Sequence, residues 1–262
     1  MTKILGISGR KQSGKNTIGN FLHGMEMMSV GIFSDFKFND NGKLVVPSLI
    51  TDKQGNESTE YGIFDIDRND ARFCQYMAEN VWPFIKMYSF ADLLKMNVCM
   101  EVLGLSHKQC YGTDADKNTT THISWDSIDD RPEGTSGAMT AREVMQYVGT
   151  NFFRKIYKNV WAESTIRRIE AEGTALAVIC DCRFPNEVEA IQKAGGKVIR
   201  LTRNNHANDE HASETALDKE NFDWKKFDVI IDNQDMNIKQ TNDAVYNKLS
   251  EWGWVEMEYE IG

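Results

Sequence analysis

The chain has 262 residues, 41% hydrophobic and 26% charged, with a formal net charge of -9. That length supports one large core with room for an insertion, and the acidic balance argues against wholesale nucleic-acid binding, so an anionic substrate must meet a local group of Arg and Lys. Cys74, Cys99, Cys110, Cys180 and Cys182 form no CxxC pair, and neither a signal peptide nor an apolar run of membrane length is found, so a soluble cytoplasmic protein is expected.

The apolar run Ile4-Leu5-Gly6-Ile7 leads into Gly9-Arg10-Lys11-Gln12-Ser13-Gly14-Lys15-Asn16-Thr17. Strand, glycine-rich loop and helix, in that order, wrap a triphosphate. Gly9 and Gly14 let backbone N–H groups turn inward on phosphate oxygens, and a helix opening near Ser13 points its positive dipole end at the same anion. Lys15 reaches the β- and γ-phosphates. Asn16 stands where a Ser or Thr hydroxyl usually ligates magnesium, and the hydroxyl comes one residue later at Thr17.

The helical pattern continues through Leu22, and the character changes over residues 25–86. Phe36 and Phe38 alternate, Asn39-Asp40-Asn41-Gly42 supplies a turn, and further apolar runs at 44–50 and 61–66 flank a second turn. This predicts a small β-hairpin or meander inserted after the first helix, with Pro47 on an edge strand and a role in packing or dimerisation. Residues 85–90 return to the sheet. A helix over 91–103 then carries Lys95 near the carboxyl ends of the strands, where a substrate phosphate can bind.

Residues 106–137 read as a long polar loop, a functional cover for the site. Thr140 with Glu143 forms a capping-box pattern, starting a helix that presents Arg142 and Gln146 on one face. Arg154 follows in a helical pattern to about residue 171, as a second arginine fork for phosphate. Leu176-Ala177-Val178-Ile179-Cys180-Asp181 has the pattern of a buried parallel strand that delivers a carboxylate to its end. Arg183, two residues on, suits a bidentate contact to a phosphoryl oxygen. A helix over 187–194 and a strand over 197–201 complete a βαβ unit. The polar stretch from Arg203, with His206, Glu210, His211 and Glu214, suits a lid or base-binding edge. A last strand at 227–233 and a helix at 236–252 close the chain. The expectation is an α/β fold: a P-loop kinase-like parallel sheet flanked by helices, one domain over 1–262.

In order and spacing, five stretches resemble the deoxynucleoside monophosphate kinases of tailed bacteriophages, in the P-loop nucleotide-kinase group. They are the loop at 9–17, Tyr-Ser-Phe-Ala-Asp-Leu-Leu-Lys at 88–95, Thr-Ala-Arg-Glu-Val-Met-Gln-Tyr-Val-Gly-Thr at 140–150, Asp-Cys-Arg-Phe-Pro-Asn-Glu at 181–187 and His-Ala-Ser-Glu at 211–214. The resemblance implies transfer of the ATP γ-phosphoryl group to a deoxynucleoside 5′-monophosphate with Mg2+, by a homodimer acting on small-molecule nucleotides in the cytoplasm of a phage host. It implies that Gly9, Ser13, Gly14, Lys15, Asn16 and Thr17 hold ATP and that Thr17 and Asp181 hold the metal shell. Lys95, Arg142 and Arg154 would bind the acceptor, with Lys15, Arg142, Asp181 and Arg183 acting in transfer. Family members often carry Asp at the position of Asn16, and nucleotide kinases of the adenylate kinase type also have a non-hydroxyl residue followed by Thr there. Two other readings stay open. One is a kinase of another phosphorylated acceptor, since phosphomevalonate kinases share a Gly-x-x-x-x-Gly-Lys loop and a late acidic stretch similar to Ala212-Ser213-Glu214-Thr215. The other is a nucleotide-binding protein without turnover, suggested by Asn16 and the β insertion.

Overall fold

The computed structural model describes residues 2–66, 68, 70–204 and 212–255. The chain divides into two compact units, Met1–Tyr88 with Arg168–Gly262, and Ser89–Arg167. It opens with β1 (Lys3–Ser8), α1 (Lys15–Ser29), β2 (Lys37–Phe38), β3 (Leu44–Thr51), β4 (Glu57–Phe64), α2 (Ala71–Asn80) and β5 (Ile85–Tyr88). A π-wound helix, Leu94–Val102, precedes α3 (His107–Tyr111), α4 (Asp114–Lys117), β6 (Thr120–Ser124), β7 (Ala138–Thr140) and α5 (Ala141–Gln146). A second π-wound segment, Tyr147–Phe153, leads to α6 (Arg154–Ile156) and α7 (Val160–Glu172). The chain then runs through β8 (Leu176–Cys182), α8 (Pro185–Lys193), β9 (Lys197–Leu201), α9 (Ala212–Thr215), β10 (Val229–Ile231) and α10 (Ile238–Glu251).

The first unit is built on a five-stranded parallel sheet in the order β10-β9-β1-β8-β5. The chain is thus α/β with a P-loop kinase-like sheet flanked by helices. β8 is buried at every position except Asp181, which explains its continuous apolar run, and each fully buried aliphatic side chain there contributes about 1.5–3 kcal/mol. β1 is central, with β8 on one side and β9 on the other. The chain leaves β1 toward β5 on one side and later crosses from β8 to β9 on the other, so the loop after β1 opens at the switch point where α/β sheets bind ligands.

α1 opens at Lys15 rather than near Ser13, because Gly14 is left-handed (φ 102°) and a left-handed residue cannot enter the helix. It runs to Ser29, past Leu22, since Met25 and Met27 bury in the same core as Ile18, Phe21 and Leu22. The meander β2-β3-β4 packs on this helix through Phe21, Phe33, Phe36, Phe38 and Phe64, whose rings meet edge-on or tilted at 5.8–6.4 Å. Pro47 was expected on an edge strand, but β3 is the middle strand. Its missing N–H costs nothing there, because β2 reaches only Leu44 and Val45 of β3 and Pro47 has no neighbour on that side.

In the second unit a core forms from Leu94, Cys99, Leu105, Cys110, Trp125, Met139, Val144 and Trp161. The stretch 106–137, expected as a polar loop, instead carries α3, α4 and β6. Its polar residues are caps. Ser106 and Gln109 form one capping box and Thr113 and Asp116 another, each closing a helix too short to show apolar periodicity. The helical pattern from Thr140 to about residue 171, which the sequence punctuates at Gly149-Thr150, is π-wound across that point and breaks again at Tyr157. The Trp161 indole N–H donates to the Gly149 carbonyl at 3.0 Å, taking an acceptor from the helical ladder within the π-wound segment, and Tyr157 is extended.

Candidate active site

In the first unit, β1 delivers the loop 9–14 to the N-terminus of α1. Besides Gly14, Gln12 is left-handed (φ 60°), and the loop turns on itself, the Ser13 N–H donating to the Arg10 carbonyl at 3.1 Å. Lys15 is 7% exposed, and its ammonium rests on the loop itself, donating to the carbonyls of Gly9 and Arg10 at 2.7 Å each. Burial first, and then the repulsion of the Arg183 guanidinium, pulls its pKa down to about 8. An ammonium held this way gains strongly when a triphosphate replaces neutral carbonyls with anionic oxygens.

Two braces hold the loop. Asn233 is fully buried; its Nδ2 donates to the Ser13 carbonyl at 2.9 Å, and its Oδ1 accepts the Arg203 backbone N–H at 2.9 Å. Losing that side chain would orphan the buried Ser13 carbonyl, at about 1–3 kcal/mol, and release the part-buried Arg203 N–H. On the other side, Glu214 accepts the Lys11 backbone N–H at 2.7 Å and pairs with Arg183. Arg10 and Arg200 both pair with Asp218, Arg200 at 3.2 Å.

The structure brings Lys15 and Arg183 together at one loop. Asp181 lies half-buried near the end of β8. Arg183 follows that strand, and Glu187 accepts its backbone N–H at 2.7 Å and that of Phe184 at 3.0 Å. The Arg183 guanidinium pairs with Glu214. Asn16 is exposed on the first turn of α1, and Thr17 is half-buried. The turn between β2 and β3 covers Thr17: a side chain at Gly42 (φ 71°) would come to 2.5 Å from its Oγ1, and the Gly42 carbonyl accepts from Asn20 at 2.8 Å. The meander thus touches the loop helix at a residue expected to handle metal.

Thr17 and Asp181 offer a hydroxyl and a carboxylate, the hard oxygen donors that magnesium takes. Among the described residues no group of three or more His, Cys, Asp and Glu is placed to hold a metal ion. That donor set suits an ion that arrives on phosphates with its own waters, not one caged by protein.

The second unit assembles other cations. Arg142, on α5, donates to Asn118 Oδ1 at 3.0 Å and to Asp114 Oδ1 at 2.8 Å. Lys95 lies over the Tyr111 ring, 4.6 Å from its centre, and the Tyr111 hydroxyl donates to Asp92 at 3.3 Å. Lys117, at the end of α4, is lowered in pKa by burial and then by the nearby Lys95, with Asp114 and Asp116 opposing the shift and Arg142 adding to it. Lys117 was missed in the sequence because it sat in a stretch that read as loop. Arg154 is half-buried in α6. His206, Glu210 and His211 lie outside the described residues. Among the described residues no helix is long and apolar enough to cross a membrane.

Two comparisons bear on this site. The family model for deoxynucleotide monophosphate kinase matches residues 3–243. A relative named "Putative deoxynucleotide monophosphate kinase", from Acanthamoeba polyphaga mimivirus, is 33% identical over 161 residues, covering 55% of this chain and 73% of the relative. Neither match favours a phosphomevalonate-type acceptor or an inactive binding protein. With the phosphate loop, its lysine and the arginine after β8 in one place, the chain belongs to the deoxynucleotide monophosphate kinase family, phosphotransferases acting on deoxynucleotide monophosphates.

Proposed function

We propose that the chain transfers the γ-phosphoryl group of ATP to a deoxynucleoside 5′-monophosphate, giving ADP and the diphosphate. The observation that carries this reading is the buried Lys15 ammonium, held on loop carbonyls beside the Arg183 guanidinium. Gly9, Ser13, Gly14, Asn16 and Thr17, with the Lys15 ammonium, bind the triphosphate, and Arg183 neutralises charge on the group in transfer. Lys95, Lys117 and Arg142 bind the acceptor phosphate, with Arg154 as a further cation of the same unit. An acceptor phosphate oxygen attacks the γ-phosphorus, the bond to the β–γ bridging oxygen breaks, and ADP leaves with that electron pair. The acceptor is already anionic, so no general base is needed. Thr17 and Asp181 would hold magnesium, which would supply charge neutralisation on the triphosphate.

The partners are small-molecule nucleotides, not nucleic acid, consistent with the net charge of -9. The homodimer and the cytoplasmic setting rest on the sequence resemblance. The test is ADP release from ATP and magnesium with each of the four deoxynucleoside monophosphates, their ribose counterparts and phosphomevalonate, with Lys15→Ala as control. Release that depends on a deoxynucleotide and vanishes in the control supports the reading; ATP binding without acceptor-dependent release contradicts it.

A further inference from the structure

Glu214 has no part in the steps above, yet it is 8% exposed and its carboxylate is divided between two donors. Oε2 accepts the Lys11 backbone N–H at 2.7 Å, and Oε1 pairs with Nη1 of Arg183. One side chain thus ties the phosphate loop to the guanidinium that follows β8. Four residues on, Asp218 repeats the pattern, pairing with Arg10 and Arg200. Arg200 in turn donates to Ser8 Oγ at 3.0 Å, so the segment bearing both acids is fixed to the end of β1.

The amide that Glu214 takes is Lys11, on the strand side of the loop, rather than one of those that open α1 and lie along its dipole. A carboxylate at that place can stay while a triphosphate occupies the helix end. Lys15 feels both members of the pair, Arg183 lowering its pKa and Glu214 raising it, which puts the three charges at one locus. An arginine without an anchor would have to give up its rotamer freedom during each transfer.

We infer that Glu214 is a positioning residue for phosphoryl transfer, holding the Arg183 fork in a fixed direction relative to the phosphate loop. The inference rests on the role given to Arg183 under the proposed function. It extends that role to Glu214, which the sequence placed in a lid or base-binding edge and which here braces the phosphate loop and Arg183 instead.

The test is steady-state kinetics of E214Q, R183A and the double variant, with thermal unfolding of each. Gln keeps the size and one acceptor oxygen for Lys11, but it cannot serve both donors or carry the charge. In E214Q, kcat falls about 10- to 100-fold while KM for ATP stays within about twofold and the unfolding midpoint holds. In the R183A background the same change costs less than about twofold, because Glu214 acts through Arg183. If E214Q fails to fold, E214D, which keeps the charge but withdraws it by one methylene, is read in the same way. A lower KM for ATP with kcat unchanged or raised would overturn the inference, making the carboxylate a competitor of phosphate. Equal losses in both backgrounds would overturn it as well. Loss of turnover in R183A beside a wild-type-like E214Q defeats this inference alone, whereas wild-type turnover in R183A removes the Arg183 role and this inference with it.

Discussion

The two units hold their cations in opposite ways. Around the phosphate loop, Arg10, Arg183 and Arg200 are each paired with a carboxylate, and Lys15 is buried on backbone carbonyls. In the second unit Arg142 is paired with Asp114, but Lys95 and Lys117 have no ion pair among the described residues and repel one another. The difference teaches where organisation comes from. Paired charges are set before the ligand arrives, while Lys95 and Lys117, which repel one another and have only the partial compensation that Asp114 and Asp116 give Lys117, are completed by the ligand's own charge.

The largest test of this contrast is Arg183→Ala. Removing a charge that acts in the transition state should lower kcat by about 10³-fold, with the fold kept but the unfolding midpoint lowered, because the buried Glu214 loses its ion-pair partner. Near-wild-type turnover would break the comparison from the side of the first unit. Next comes the double substitution Lys117→Ala with Arg142→Ala. It should raise KM for the acceptor by about 10- to 100-fold, from the loss of two charge-assisted contacts, and leave KM for ATP in place. A rise in KM for ATP alone would assign the cluster to the wrong nucleotide.

The pH dependence of ATP binding sharpens the contrast further. The free Lys15 ammonium titrates at about 8, below the ordinary lysine value, and a bound triphosphate raises that pKa by favouring the charged form. Below pH 8 affinity is therefore flat in this group. Above it, binding must take up a proton, and Kd rises by up to about tenfold per pH unit. Lys15→Arg, which stays charged, should abolish the slope; calorimetry across pH 7 to 9.5 measures both. The smallest effect is at the caps of the second unit. Thr113→Ala removes the capping box of α4 and should cost about 1 kcal/mol of stability, read by urea unfolding, with a modest rise in acceptor KM because α4 carries Lys117.

What could be read from the sequence follows the range of each interaction. The phosphate loop was legible because Gly9, Gly14 and Lys15 are neighbours, and Asp181 because a buried parallel strand leaves a continuous apolar run. The braces were not. Asn233 meets Ser13 across 220 positions and Glu214 meets Arg183 across 31, and no local pattern encodes either pairing. Residues 106–137 misled because Ser, Thr, Asp and Gln serve equally as loop residues and as helix caps. Pro47 misled in the other direction. Its edge is real on one side, but it comes from the shortness of β2 and not from the position of β3 in the sheet.

The most direct measurement follows the phosphoryl group itself. ATP labelled at the γ-phosphate is incubated with the protein, magnesium and an equimolar mixture of the four deoxynucleoside monophosphates, and the products are separated. The account predicts label in the β-phosphate of one or more deoxynucleoside diphosphates, in amounts equal to the ADP formed, and none with Lys15→Ala. Label found only in inorganic phosphate, or retained in ATP, would contradict it.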